Sequence, residues 1–280
     1  MKTFLGQSRP MITVMLKSKN TGALIEEIKR TSAQGAEAYG LQLEGLQKQY
    51  LNRQDLTDIF QAMEDKPCYV TNYARGNING QNQSDEMLAE ELLLALDCGA
   101  VLCDVRADMF DRCVGEFTLQ DTAVEKQKEL IREIHRKGKE ALMSSHIFQF
   151  TPKEQVYAIA HAMQERGADI AKVVAIADDE KELTEAFETL LLLKKEIVIP
   201  TLFLCNGFCS YKHRMLGPLL GSCMYLTVEN RQEKVDMQKL MEEVRQKRAE
   251  QQPGEVPAVV HITPDIAQAR AMIDAAGYSE

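Results

Sequence analysis

"EALMSSHIFQFTPKEQVYAIAHAMQERGADIAKVVAIA", residues 140–177, reads as one strand–helix–strand unit. The apolar run "EALMSSH" (140–146) ends on His146, and a short loop leads to Thr151-Pro152-Lys153-Glu154. Those four residues predict a capping box, with Thr151 as N-cap, Pro152 at the first helical position and Glu154 at the third. The helix is expected over 152–166, Gly167 supplies its left-handed exit, and "DIAKVVAIA" (169–177) is the next strand. His146 therefore stands at the carboxyl end of a strand, where α/β folds keep their active sites.

The same alternation runs through most of the chain. Further strands are predicted at 11–16, 37–43, 67–73, 100–105, 196–205 and 222–228. Helical periodicity occupies 20–34, 54–64, 84–97, 122–137, 179–194, 211–220 and 233–250, with Gly35, Gly99, Gly138 and Gly221 just ahead of strands. Eight strands, each followed by a helix, predict an α/β fold, a (β/α)8 TIM barrel over residues 1–250. An open doubly wound sheet is the alternative. No G-x-G-x-x-G or P-loop opens a helix, so nucleotide-binding readings gain no motif. A charged, Gln-rich linker is expected near 244–257. Beyond it, "AVVH" looks like a strand and Thr263-Pro264-Asp265 like a helix start, giving a C-terminal helical appendage (251–280) on the barrel or on a partner subunit.

Composition narrows the function. The 280 residues are 45% hydrophobic and 27% charged, ordinary for a globular chain. A net charge of −9 argues against nucleic-acid partners. The opening "MKTFLGQSRPMITVML" lacks the apolar core of a signal peptide, and runs such as "AFETLLLL" are too short to span a membrane. The seven cysteines contain no C-x-x-C pair, which fits core thiols in a reducing, cytoplasmic setting. Cys205 and Cys209 flank a glycine loop; burial accounts for them better than metal binding.

A barrel places catalytic groups at strand carboxyl ends and in the loops that follow. That filter selects His146, Lys172, Arg214, the group Asn72, Tyr73, Arg75 and Asn77, and the pair Gln42 and Glu44. Lys172 sits among Ile170, Val173, Val174 and Ile176, where desolvation is expected to favour a neutral amine. Such an amine attacks a carbonyl and forms an iminium, an electron sink that acidifies the adjacent carbon. The bland alternative is a structural lysine paired with a carboxylate. A histidine one strand away suits removal of the acidified proton, and an arginine supplies a fixed fork for a carboxylate.

"LMSSHIFQFTP", "ADIAKVVAIA" and "LFLCNGFCSYKHRMLGPLLGS" resemble the fifth-, sixth- and seventh-strand motifs of type I 3-dehydroquinate dehydratase. His146, Lys172 and Arg214 follow in the family's order, separated by 26 and 42 residues. "GAEAYGLQLEGL" and "TNYARGNINGQ" resemble its second- and third-strand regions. The resemblance covers about residues 10 to 235 and implies a homodimer that needs no metal or cofactor. It implies that Lys172 forms an imine with a small-molecule keto acid, that His146 is the general acid/base, and that Arg214 binds the substrate carboxylate. Gln232 matches a family glutamine in the last loop.

Several positions depart from the pattern. Gly40 and Gln42 stand where the family has Glu and Arg, and Glu44 where it has Asp. Tyr73 takes the place of an arginine, Asn77 falls near the glutamate that orients the histidine, and His213 replaces a serine beside Arg214. The expected serine of the last loop falls near Val228. Arg75 is a stand-in for missing charge. Because a buried polar site discriminates strongly among hydroxylated ligands, these changes point to a reshaped pocket. The expectation is a hydro-lyase acting on 3-dehydroquinate or a related hydroxylated cyclic keto acid. The alternatives are an imine-forming aldolase or lyase on another keto acid, and a non-catalytic barrel that binds.

Overall fold

The computed structural model describes residues 2–80, 83–233, 235–252 and 257–278. The strands are β1 (Met11–Leu16), β2 (Ala38–Gln42), β3 (Cys68–Thr71), β4 (Leu102–Arg106), β5 (Glu140–His146), β6 (Ile170–Ile176), β7 (Thr201–Asn206) and β8 (Met224–Thr227). Between them lie α1 (Thr21–Ala33), α2 (Arg53–Ala62), α3 (Asp85–Cys98), α4 (Asp121–Arg136), α5 (Lys153–Glu165), α6 (Glu180–Glu196) and α7 (Ser210–Leu220). After β8 come α8 (Met237–Glu250) and α9 (Ile266–Ala275). Two short 3-10 turns, Leu43–Gly45 and Lys48–Tyr50, separate β2 from α2.

All strand pairs are parallel, in the order β7-β6-β5-β4-β3-β2-β1-β8. The seam between β7 and β8 carries a single bridge, Thr201 to Ser222. There the Ser222 hydroxyl accepts from the Phe203 N–H at 3.1 Å and donates to the Phe203 carbonyl at 2.9 Å, standing in for ladder bonds. The result is a (β/α)8 barrel.

Strand pleat divides the side chains into two sets. Outward residues such as Val105, Met143, Val173 and Phe203 pack with the helices. Inward residues Leu102, Leu142, Ile170, Leu202 and Met224 form an apolar floor with Phe4 across the amino-terminal end. Two residues farther along β4, β5 and β6, the inward set becomes Asp104, Ser144 and Lys172, all buried. At Gly40 on β2 a Cβ would lie 2.4 Å from Met15 Sδ and 2.8 Å from Tyr69 Cε1, so the glycine makes room for Tyr69 to cross the barrel.

Several expected boundaries shift. β7 begins at Thr201 rather than 196, because α6 runs on to Glu196. The capping box at Thr151 does not form. Thr151 is buried and donates to the Gln149 carbonyl, while the Lys153 N–H finds Glu185 on α6 instead. Residues 244–250 of the expected linker are the last turns of α8, where Arg248 pairs with Asp178 at 2.7 Å; Pro253 and Gly254 lie outside the described residues. "AVVH" forms no strand, and its Val260 carbonyl accepts from the Gly207 N–H at 2.8 Å. α9 opens on a capping box between Asp265 and Gln268, and packs on α7, β1 and β8.

Candidate active site

At the carboxyl ends of the strands the barrel opens into a cavity of about 500 Å³. Inward residues of all strands but β4 reach its wall, among them Met15, Gln42, Thr71, Tyr73, His146, Lys172, Asn206 and Val228.

Lys172 stands at the bottom. Its Nζ donates to the Tyr73 hydroxyl at 2.8 Å and to Asp104 Oδ2 at 3.2 Å, with Tyr69 Oη at 3.4 Å. Asp104 is enclosed, and both of its oxygens accept hydroxyls at 2.5 Å, one from Ser144 and one from Tyr73. Burial pulls the Lys172 amine downward, but Tyr69 and Asp104 together outweigh it and leave the group above its ordinary value. The neutral resting amine expected from burial is therefore corrected: a buried carboxylate partner keeps the ammonium favoured. Burial, reinforced by the charge of Asp104, also raises Tyr73 well above a normal phenol, so it stays protonated.

His146 closes one side. Its Nδ1 lies 2.5 Å from Glu116 Oε2, and its ring meets Tyr73 edge-on at 5.1 Å between centroids. Burial would raise Glu116, yet His146, Arg75 and Arg106 hold its carboxyl down at about 2. An ionised Glu116 can only accept, so Nδ1 carries the proton and Nε2 is left as the basic nitrogen. Burial keeps His146 itself below its ordinary value; Glu116 opposes that without overcoming it.

Glu116 comes from the loop between β4 and α4, in the left-handed region at φ 49° beside Gly115 at 82°. Such strain persists only where surroundings enforce it. Here Ser145 on β5 donates to the Gly115 carbonyl at 2.6 Å. The Arg166 guanidinium also donates to the carbonyls of Ala107 and Thr118 and covers the Phe117 ring at 4.6 Å.

The rim is rich in cations. Arg214 is buried, donates to the Cys205 carbonyl and to Asn206 Oδ1, and has no carboxylate partner among the described residues. Burial lowers it to about 10. Lys17, Arg75 and Arg231 also line the cavity. Glu44 also lines the cavity; it is buried, accepts from the Thr71 hydroxyl, and is raised above its ordinary value by burial.

Residues 12–250 match the sequence signature described as Type I 3-dehydroquinase. The chain belongs to that family. It is 28% identical over 127 residues to a 3-dehydroquinate dehydratase of Clostridium kluyveri, covering 45% of this chain and 48% of that one. A second relative of the same name, from Alkaliphilus oremlandii, is 28% identical over 95 residues, 33% of this chain and 37% of that one. The matched stretch thus spans about half the length or less of these curated relatives. Among solved structures, the chain is similar to a type I 3-dehydroquinate dehydratase from Clostridium difficile with covalently modified comenic acid. That likeness has a TM-score of 0.73 at 17% identity, covering 98% of this chain and 95% of that one. The 3-dehydroquinate dehydratase from Geobacillus kaustophilus gives a TM-score of 0.69 at 14% identity, covering 88% and 96%. At these identities the structural likeness speaks for the fold.

In this member of the family, Lys172, His146, Arg214, Gln42, Tyr73 and Arg75 all line the one cavity. Arg75 is half exposed, lies over the Phe148 ring at 4.5 Å and reaches Glu116 Oε1 at 3.7 Å. Two expected residues stand elsewhere. Asn77 is buried beneath its loop, donating to Asn72 and to Gln83 Oε1, and does not reach His146; Glu116 orients the imidazole instead. Gln232 is exposed and lines a separate surface cavity with Tyr211 and Met237. The neighbouring Arg231 lines the main cavity instead, together with His261 and Thr263 of the C-terminal segment.

His213 is a core residue outside the barrel, stacked on Phe187 and edge-on to Phe203, with both ring nitrogens buried and unbonded among the described residues. Sequence reasoning missed Asp104, Glu116 and His261. A carboxylate in mid-strand at Asp104 was a usable signal, since the pleat turns it inward beside Lys172. Glu116 and His261 carried no spacing that marked them.

Proposed function

We propose that this chain is a hydro-lyase that eliminates water from 3-dehydroquinate, or from a related hydroxylated cyclic keto acid, through an imine on Lys172. The observation that carries the reading is the convergence of Lys172 and His146 on one cavity, the lysine against Asp104 and the histidine fixed by Glu116. Family membership supports the same reaction type.

The resting ammonium first loses a proton, for which the Tyr73–Asp104 pair offers a route. The free amine adds to the substrate ketone, and the carbinolamine oxygen leaves as water to give the iminium. His146 Nε2 then takes the proton on the adjacent carbon, forming an enamine. The enamine electron pair expels the β-hydroxyl, which collects that same proton from His146 and departs as water. Hydrolysis of the conjugated iminium restores Lys172 and releases an enone. Arg214, Gln42, Arg75 and Tyr73 are proposed to hold the carboxylate and hydroxyls.

We further propose that residues 1–250 and 251–280 act as one unit, in a cytoplasmic homodimer; light scattering at working concentration reads the dimer directly. Borohydride reduction in the presence of 3-dehydroquinate, followed by mass spectrometry, is expected to label Lys172, alongside growth of enone absorbance. Lys172→Ala is expected to lose both signals. Turnover by that variant would rule out the imine. The absence of any adduct with a series of hydroxylated cyclic keto acids would rule out the lyase reading.

A further inference from the structure

The C-terminal segment enters the cavity. His261 and Thr263 line it together with Lys172, Asn206 and Arg214, although they lie beyond the residues that match the family signature. Several contacts fasten the segment. Val260 and Ile262 are buried in a cluster with Val244, the Ile262 N–H meets Ser210 Oγ at 3.3 Å, and Arg231 donates to the Thr263 carbonyl at 2.6 Å.

The polarity of the contacts at its tip follows from donor chemistry alone. Arg214 Nη2 has only hydrogens to offer, so the Asn206 atom it meets at 2.8 Å is the carbonyl oxygen Oδ1. His261 Nδ1 lies 2.9 Å from that same oxygen and must therefore carry its proton. In the neutral ring Nε2 is then an acceptor and takes the Thr263 hydroxyl at 3.1 Å. His261 is exposed at the cavity wall, and the neighbouring charge of Arg214 chiefly holds it below its ordinary value, which favours this neutral ring.

Two donors thus converge on Asn206 Oδ1. If the amide flipped, its NH2 would face two N–H groups. Held this way, Asn206 has no protein partner for Nδ2 among the described residues, and Arg214 none for Nη1. Both residues line the cavity, so each has a side-chain N–H group to offer a ligand carboxylate there.

We propose that His261 and Thr263 of the C-terminal segment form part of the catalytic cavity, with His261 a positioning residue that locks Asn206 and Arg214 to receive the carboxylate of the substrate. The proposal rests on the keto-acid reading above. It assigns Asn206 as a direct carboxylate contact and the C-terminal segment as a determinant of specificity.

The test compares quinate, a cyclic hydroxy-carboxylate with no ketone, with 3-dehydroquinate. Calorimetric Kd for quinate and KM and kcat for 3-dehydroquinate are measured on the full chain and on His261→Ala, His261→Asn and Asn206→Ala. Loss of one supporting hydrogen bond is expected to raise Kd and KM about 3- to 10-fold in His261→Ala, with kcat nearly unchanged. In His261→Asn the side-chain amide N–H replaces the Nδ1 donor, and most of the loss is recovered. Adding His261→Ala to Asn206→Ala is expected to cost nothing more, because the two act through one acceptor. If His261→Ala binds quinate like the parent, or if its cost is additive with Asn206→Ala, the positioning role is wrong while the dehydratase reading stands. If the parent protein binds neither quinate nor 3-dehydroquinate and forms no adduct with any of the hydroxylated cyclic keto acids, both fall.

Discussion

Replacing Glu116 with Gln tests the assignment of His146 as the base. The carboxylate holds the Nδ1 proton across 2.5 Å and is ionised with its carboxyl at about 2. A hydrogen bond to a charged group contributes ~1.5–3 kcal/mol, which corresponds to roughly a 10- to 150-fold change in rate if it is felt fully in the transition state. Glutamine adds a second penalty, because its amide can turn its NH2 toward Nδ1 and stabilise the tautomer protonated on Nε2, the wrong base. Together these predict a fall in kcat of about 10²- to 10³-fold, in line with losses when the partner of an oriented histidine is neutralised. The pH profile gives an independent sign. Glu116 raises the His146 value, so removing it lowers that value further. The active base is the neutral imidazole, hence the acid limb of the kcat profile is expected to move to lower pH. Enone absorbance under saturating 3-dehydroquinate measures both quantities, and circular dichroism checks folding. A kcat within threefold of the parent, with an unmoved acid limb, would refute the assignment. An effect confined to KM would instead place Glu116 in the service of Arg75.

Asp104→Asn removes the carboxylate that offsets the burial of Lys172. The amine value is expected to fall, so borohydride labelling with a keto acid should begin at lower pH; an onset unchanged or moved upward would contradict the pairing. Acid stability offers a second check through Glu116. Its carboxyl falls on folding from an ordinary 4.5 to about 2, so its stabilisation is present above about pH 4.5 and lost as pH drops toward 2. Glu116→Gln should flatten urea stability across that window, and an unaltered slope would count against it. His213→Phe replaces two unbonded buried nitrogens. Each such group costs ~1–3 kcal/mol, so Tm is expected to rise by a few degrees unless the larger ring overpacks. A fall of more than about 5 °C in both His213→Phe and the smaller His213→Leu would mean the histidine has a partner that the described contacts lack.

What the sequence discloses and what it hides divide along a physical line. Local chemistry set the helices and strands: β1 and β5 run over the residues expected of them, and glycines at positive φ, such as Gly99 and Gly138, end helices before strands. Period-two pleat turns Lys172 and His146 inward on neighbouring strands, yet each alone reads as readily as a structural residue; their pairing with Arg214 in the family's order is what marks them as candidates. The pleat argument stops where the strand does. Asn77 and Gln232 both lie in loops, where no period fixes direction, and both turn away from the cavity.

The orienting carboxylate makes the point most sharply. Glu116 is 30 residues from His146 in sequence and reaches it through a loop with no repeating geometry. Its position depends on Arg166 from the end of α5, on Ser145 from the outward face of β5, and on a left-handed backbone at Glu116 itself. None of these contacts is local, so no window of sequence contains them. The same holds for His261, which reaches Asn206 across 55 residues. In this barrel the strands deliver the candidate reactive groups, and distant loop and tail residues contact them and fix their orientation. The arginines absent from the β2 and β3 motifs have counterparts elsewhere on the cavity wall: Lys17 after β1, Arg75 after β3 and Arg231 after β8. A pocket altered in this way is expected to keep the imine chemistry of Lys172 while changing the direction from which an anionic ligand is held.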